Sequence, residues 1–133
     1  MEAVGFVASI YSLLELSENV ITYIKNAKGA NEERTTLINE LVGTKNVLSE
    51  LESKADEDEW RATMESLMTN NGPRDQFKSV LERLEKKLSA EGKLRRVAKS
   101  LTWHFAKEEI KEILSQIERI KSLFFLALEN KHM

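Results

Sequence analysis

The stretch AKEEIKEILSQIERIKSLFFLALEN, residues 106–130, decides the fold class of this chain. Its apolar side chains recur at alternating steps of three and four residues, which is the spacing of one face of an α-helix. The residues of this seam are Ile110, Ile113, Ile117, Ile120, Phe124 and Ala127. The final turns are apolar on every side, through Leu123, Phe125, Leu126 and Leu128. The pattern predicts a last helix from about Ala106 to Asn130 that buries its seam against other helices.

Apolar side chains at the same spacing predict three more long helices upstream. The first spans about Ala3–Asn26 and the second about Asn31–Lys54, with Lys28-Gly29 as the break between them. The next begins at Pro73 and ends near Glu91-Gly92. The side chains expected in the core from the second helix are Leu37, Leu41, Thr44, Leu48, Leu51 and Ala55. Those expected from the helix after Pro73 are Phe77, Val80, Leu81, Leu84 and Leu88.

Shorter elements are predicted to connect the long helices. A short helix follows the acidic run at residues 56–59 and ends before Pro73. Its expected core residues are Trp60, Met64, Leu67 and Met68. Residues 93–100 are expected to form a short basic helix, and residues 101–105 an aromatic corner. The sequence therefore predicts an all-α fold for residues 1–133: a single domain, a helical bundle of four long helices plus one or two short helices.

The composition fits a helical bundle and offers little to enzyme chemistry. The chain has 133 residues, of which 41% are apolar and 32% charged, with one proline and five glycines to form turns. There is no cysteine, and the two histidines lie far apart in the sequence, which leaves little for a zinc site. The glycines are scattered singly and form no phosphate-binding loop. We therefore expect no catalytic residue, no bound metal and no cofactor.

The first helix is apolar over more than half of its circumference. The side chains expected on its core side are Val4, Val7, Ile10, Tyr11, Leu14, Ile21 and Ile24, widened by Phe6, Leu13 and Val20. A narrow polar strip lies opposite, formed by Gly5, Ser9, Ser12, Asn19 and Thr22. Such a helix is either central in a bundle or made to enter lipid, and the pattern leaves both open. We do not expect a secretory signal, because Glu2 replaces the basic residues with which such signals begin.

The densest basic run is KLRRVAK, residues 93–99. Its cations are candidates for contact with anionic lipid headgroups, since each basic residue near such a surface contributes about 1 kcal/mol. These candidates are Lys93, Arg95, Arg96 and Lys99. Nucleic acid is not an expected partner, because the net charge is −2 and no aromatic residues alternate with the basic ones for base stacking.

Three stretches of the chain carry a resemblance to a known family. They are VGFVASIYSLLELSENVITYI from residue 4, NNGPRDQFKSVLERLEKKL from residue 70, and LTWHFAKEEIKEILSQIERIKSLFFLALENKH from residue 101. The most specific features are Asn71-Gly72-Pro73 followed by Gln76-Phe77, and Leu101-Thr102-Trp103-x-Phe105 followed by IERIKSL at residues 117–123. Together these stretches resemble the fungal HeLo-like domain that precedes the NACHT module in STAND proteins, which are NLR-like receptors. The resemblance covers nearly the whole chain.

The resemblance implies an N-terminal effector or signalling domain rather than an enzyme. HeLo domains, and the more distant four-helix domain of the mixed-lineage kinase-like pseudokinase, are helical bundles that kill cells by attacking membranes. In fungi they serve heterokaryon incompatibility and an innate-immunity-like programmed cell death. By resemblance, the chain is expected in the cytoplasm at rest and at the plasma membrane after activation. Its implied partners are further copies of itself, anionic membrane lipids and a downstream NACHT module.

The resemblance makes the first helix the candidate membrane-permeabilising segment. The residues of this membrane-targeting helix are Val4, Phe6, Val7, Ile10, Leu13, Leu14 and Glu15. In an oligomer, the polar side chains of Ser9, Ser12 and Glu15 would face a water-filled lumen, because charges inside a membrane are costly unless they line water.

The alternative function is a protein–protein interaction module that never enters a membrane. In this reading the domain forms homotypic dimers or acts as an adaptor, and the first helix stays in the core. The candidate oligomer surface is then the apolar end of the last helix, at Leu123, Phe125 and Leu126.

Overall fold

Helices dominate the structure, a computed structural model that describes residues 3–94, 101–103 and 105–129. In these ranges the chain forms five α-helices, which are α1 (Ala3–Asn26), α2 (Asn31–Glu52), α3 (Arg61–Leu67), α4 (Pro73–Leu94) and α5 (Lys107–Glu129). A 3-10 turn at Asp58–Trp60 leads into α3. Two strands of two residues each complete the described elements, β1 (Ala27–Lys28) and β2 (Leu101–Thr102). The predicted all-α bundle of four long helices is confirmed.

The predicted seams of α2, α4 and α5 form the core. Every side chain predicted for the seams of α2 and α4 is buried, and on α5 only Ala127 is partly exposed. Phe77 of α4 meets Phe124 of α5 edge to face, with ring centroids 5.8 Å apart, an arrangement that aromatic quadrupoles favour. The hydroxyl of Thr44 donates to the carbonyl of Glu40 at 2.8 Å, so this polar member of the α2 seam is buried without an unpaired donor.

The four long helices form a ring in which α1 and α5 occupy opposite corners. α1 packs against α2 and α4, and α5 packs against the same two helices. α2 and α4 therefore lie diagonally across the bundle from each other. The segment that joins them in the sequence crosses one end of the bundle. This segment includes the 3-10 turn and α3, which bury Trp60, Met64 and Leu67. The crossing closes the end of the bundle at which α1 begins and α5 finishes.

The two short strands lie at the other end of the bundle, where α1 finishes. They are parallel, with Ala27 paired to Leu101 and Lys28 to Thr102. Beyond β2, the side chains of Trp103 and Phe105 are buried, with ring centroids 4.7 Å apart. Trp103 and Phe105 of the predicted aromatic corner thus pack in the core. The first two residues of that corner form a strand that the sequence pattern did not predict.

The predicted end of α4 at Glu91-Gly92 is wrong. The helix continues through Gly92 to Leu94, since a single glycine inside a helix costs only about 1 kcal/mol relative to alanine. Lys93 therefore lies in the last turn of α4 and does not open a separate helix. The remainder of the predicted basic helix, residues 95–100, lies outside the described residues. α2 also ends earlier than predicted, at Glu52.

Candidate functional site on the first and last helices

The inward side of α1 carries three of the predicted membrane-targeting residues. Phe6, Ile10 and Leu13 are each at most 3% exposed and pack in the core of the bundle. The same side continues through Val20, Ile21, Ile24 and Ser17. The other predicted apolar residues are partly buried at Val7 and Leu14, and at Val4 the side chain lies outside the described part of the structure. In this structure, therefore, the apolar part of α1 is a core face.

α1 is rotated relative to the orientation that the sequence predicts. Tyr11 is 58% exposed, so its predicted place in the core is wrong. Ser17 takes a place on the inward side instead, fully buried. Its hydroxyl donates to the carbonyl of Leu13 at 2.7 Å, so its polar atom is satisfied within its own helix and needs no partner from elsewhere.

The polar residues predicted to line a lumen lie on the outer side of α1 and along its border with α4. Ser12 and Glu15 are exposed, and Ser9 is partly buried. At this border the guanidinium Nη1 of Arg74 donates to the hydroxyl of Ser9 at 2.9 Å. Within the described part of the chain, Glu15 has no hydrogen-bond or ion-pair partner. The exposed carboxylate of Glu15 is thus in contact with water rather than with a partner side chain from the described residues.

The neighbouring carboxylate on α1 has a different environment. Glu18 forms an ion pair with the ammonium group of Lys45 on α2. The hydrogen bond from Lys45, and then its charge, hold the pKa of Glu18 below the ordinary glutamate value. Glu18 therefore helps to join α1 to α2, whereas Glu15, three residues earlier, does not.

The end of α5 presents an exposed apolar surface. Phe125 is 48% exposed and Leu126 is 52% exposed, while Leu123 is partly buried. A shallow groove of about 430 Å³ lies beside them, lined by Val47, Lys121, Ser122, Phe125 and Leu126. Leu126 and Leu123 also line a second groove of about 350 Å³ on the side of α3 and Pro73. The three predicted oligomer-surface residues thus lie together at one end of the bundle, and two of them face solvent.

Of the basic residues predicted to contact lipid headgroups, the structure describes only the backbone of Lys93. Lys93 belongs to the last turn of α4, but its side chain is outside the described part of the structure. Arg95, Arg96 and Lys99 also lie outside the described residues. Their contact with lipid stays a prediction.

Sequence reasoning missed an ionic network that joins α4 to α5. Arg83 donates to Glu112 at 2.9 Å and to Glu109 at 3.3 Å, and Lys87 donates to Glu109 at 3.0 Å. Burial alone would raise the pKa of Glu109, but the hydrogen bonds and charges of Lys87 and Arg83 lower it below the ordinary value. The ammonium of Lys87 also lies 4.5 Å from the ring centroid of Phe105. All four charges have a partner within the fold, and the network joins α4 to α5.

A metal-binding cluster and a membrane-spanning helix are both absent from the described residues. Across residues 3–94, 101–103 and 105–129, no group of three or more His, Asp or Glu side chains is placed to hold a metal ion. Among the helices in those ranges, none combines the length and the apolarity needed to cross a bilayer.

No family model, no curated protein and no solved structure matches the chain. The resemblance to HeLo-like domains therefore stays a prediction that rests on the three quoted stretches. The candidate sites are α1, with its buried apolar side and its polar outer side, and the exposed end of α5.

Proposed function

We propose that this chain is a HeLo-like N-terminal effector domain of a fungal NLR-like receptor, one that induces programmed cell death through its first helix and has no catalytic role. The observation that supports this most is the two-sided character of α1. Its inward side is apolar, with Phe6, Ile10 and Leu13 buried, and its outer side exposes Ser12 and Glu15. Because one apolar face can pack either in a core or in lipid, the same residues serve the resting and the active state.

A single copy of α1 is insufficient for this function, because no helix in the described ranges can cross a bilayer by itself. A ring of several copies removes the difficulty: the apolar sides face lipid or one another, and Glu15 faces the water inside. A carboxylate is tolerated within a membrane where it lines water. Self-association therefore precedes membrane entry in this proposal.

The energetic demand on activation is modest in scale. Phe6, Ile10 and Leu13 each contribute roughly 1.5–3 kcal/mol through burial in the core, and lipid supplies a comparable apolar environment after release. Activation must supply the difference between the two environments and also the cost of exposing the surfaces of α2 and α4 that α1 covers. The total is comparable with the stability of a marginal domain. Clustering by a downstream NACHT module is the source of that free energy in this proposal.

Glu15→Ala tests the role of the polar outer side. We expect this substitution to lower dye leakage from anionic vesicles severalfold when the domain is clustered through a C-terminal fusion. The free energy of unfolding should change by less than about 0.5 kcal/mol, because Glu15 is exposed and has no partner in the described structure. Glu118→Ala, at an exposed position of α5, is the matched control and should leave leakage unchanged.

Two results would contradict the membrane function. One is a clustered wild-type domain that releases no dye from anionic vesicles. The other is toxicity in yeast that is unchanged when residues 1–16 are deleted.

A second candidate function, a homotypic interaction module that stays out of membranes, is favoured by the exposed end of α5. Contiguous exposed apolar patches of several hundred Å² often mark interaction sites on proteins. Phe125 and Leu126 are adjacent, about half exposed, and border two grooves that could receive side chains from another molecule.

Leu126→Ser tests this second function. We expect it to weaken self-association in sedimentation equilibrium at least tenfold while the unfolding transition moves little, because Leu126 is already 52% exposed. Tyr11→Ser is the matched control, since Tyr11 is exposed to a similar degree on the other side of the bundle. A wild-type domain that stays monomeric at all concentrations, or equal weakening by both substitutions, would contradict a role for the end of α5.

A further inference from the structure

The C-terminal end of α1 is held by a side chain from α2. The guanidinium of Arg34 donates from Nε to the carbonyl of Gly29 at 2.7 Å and from Nη1 to the carbonyl of Ile24 at 3.1 Å. Its Nη2 donates to Oδ1 of Asn31 at 2.6 Å, which fixes the orientation of the fork. The last carbonyls of a helix have no donor within the helix, and Arg34 supplies one.

The strand pair adds a second attachment at the same end. β1 follows α1 directly and pairs with β2, and the backbone N–H of Trp103 donates to the carbonyl of Lys28 at 2.8 Å. The indole Nε1 of Trp103 donates to Glu33 of α2 at 3.2 Å. We call Arg34, the strand pair and Trp103 the clasp. The clasp ties the end of α1 both to α2 and to the segment that precedes α5.

The N-terminal half of α1 has much weaker polar attachment. In the described part of the chain, the Arg74–Ser9 hydrogen bond is the one polar side-chain contact between residues 5–16 and another helix. The first turn of α1 carries no acidic side chain to complement the helix dipole. Gly5, Ser9 and Ser12 are also weak helix formers. Apart from one hydrogen bond, this half is therefore held by apolar packing alone.

Ser17 marks the boundary between the two halves. It is fully buried, and the described hydrogen bond of its hydroxyl runs to the carbonyl of Leu13 within the same helix. Serine back-bonding of this kind slightly weakens and bends a helix. Opening α1 at Ser17 thus breaks no described side-chain bond between Ser17 and another element.

We propose that α1 opens from its N-terminal end, as an arm of residues 5–16 hinged near Ser17, while the clasp keeps residues 20–28 in the bundle. The proposal deepens the membrane function and rests on it for its biological meaning, since it names the part of α1 that is delivered. Opening exposes Phe6, Ile10 and Leu13 together, while Val20 and Ile24 stay buried. The arm remains attached to the domain throughout.

Hydrogen exchange of the full chain in the absence of lipid tests the arm. We expect amides of residues 5–16 to exchange faster than those of residues 18–28. Arg74→Met, which removes the bond to Ser9, should speed exchange in residues 5–16 about fivefold and leave residues 18–28 unchanged. Arg34→Met should speed exchange in residues 18–28. Arg83→Met is the matched control, because it breaks contacts between α4 and α5 without touching α1.

Arg34→Lys covers the case in which Arg34→Met does not fold, because lysine keeps the charge but loses the forked donors. Equal exchange in the two halves of the wild-type helix, or equal acceleration of both halves by Arg74→Met, would overturn the arm. Unchanged exchange of residues 18–28 in the Arg34 variants would overturn the clasp. If the arm exchanges faster than residues 18–28 but the domain permeabilises no vesicles, the membrane function alone is overturned. If the domain permeabilises vesicles but the two halves of α1 exchange equally, the arm alone is overturned.

Discussion

Replacing Ile10 with alanine is expected to lower the free energy of unfolding by about 2–5 kcal/mol, whereas Tyr11→Ala should change it by less than about 0.5 kcal/mol. The two residues are adjacent in α1, and both are apolar enough that their spacing places them on the core side. In the structure Ile10 is completely buried and Tyr11 is 58% exposed. Ile10→Ala therefore leaves a cavity in a packed core, while Tyr11→Ala removes a side chain that mostly contacts water.

Urea denaturation of both variants checks this expectation, with the slope against denaturant showing that the same surface is exposed on unfolding. The outcome that contradicts the structure is a loss of stability in Tyr11→Ala as large as that in Ile10→Ala. That result would mean that α1 packs in the orientation indicated by its apolar spacing and that Ser17 does not face the core.

Phe124→Ala is the second substitution with a large expected effect, a loss of about 3–5 kcal/mol in the free energy of unfolding. Phe124 is 1% exposed and packs edge to face on Phe77, so truncation removes both buried area and an aromatic pair that joins α4 to α5. Phe125→Ala provides the control next to it in sequence. Phe125 is 48% exposed, and its truncation should cost less than about 1 kcal/mol.

Thermal and chemical unfolding of the two phenylalanine variants measure this difference. Similar losses in both would show that the end of α5 is covered in solution by another molecule or another part of the chain. A small loss in Phe124→Ala would instead place the contact between α4 and α5 outside the stable core.

The seams of α2, α4 and α5 could be predicted from sequence because each is narrow. On α2, for example, only one rotation of the helix buries Leu37, Leu41 and Leu48 together. The exposure of Phe125 follows from the same reasoning, since it lies outside the α5 seam. α1 is apolar around most of its circumference, so several rotations bury a similar amount of apolar surface. The rotation found buries Ser17, a polar residue whose hydroxyl is bonded within its own helix, and an apolar pattern does not predict such a residue in the core.

The clasp could not be predicted from sequence patterns, for a different reason. Strands of two residues show no alternation, and β1 pairs with a segment far along the chain. In the sequence, Arg34 is indistinguishable from an ordinary surface cation, because its contacts with the end of α1 exist only in the folded chain. Such elements form only because tertiary packing has already brought the segments together, so no local sequence pattern predicts them.

The strand β1 also determines the alignment of two distant segments through the difference between its two side chains. Consecutive residues of a strand point to opposite faces, and here Ala27 is buried while Lys28 is exposed. A slip of one residue against β2 would turn the lysine ammonium inward and the alanine methyl outward. Burying an unpaired charge is far costlier than a two-residue ladder can offset, so a slip of one residue is excluded. The exposed position of Lys28 thereby helps to fix which residues pair between β1 and β2 before the chain continues toward α5.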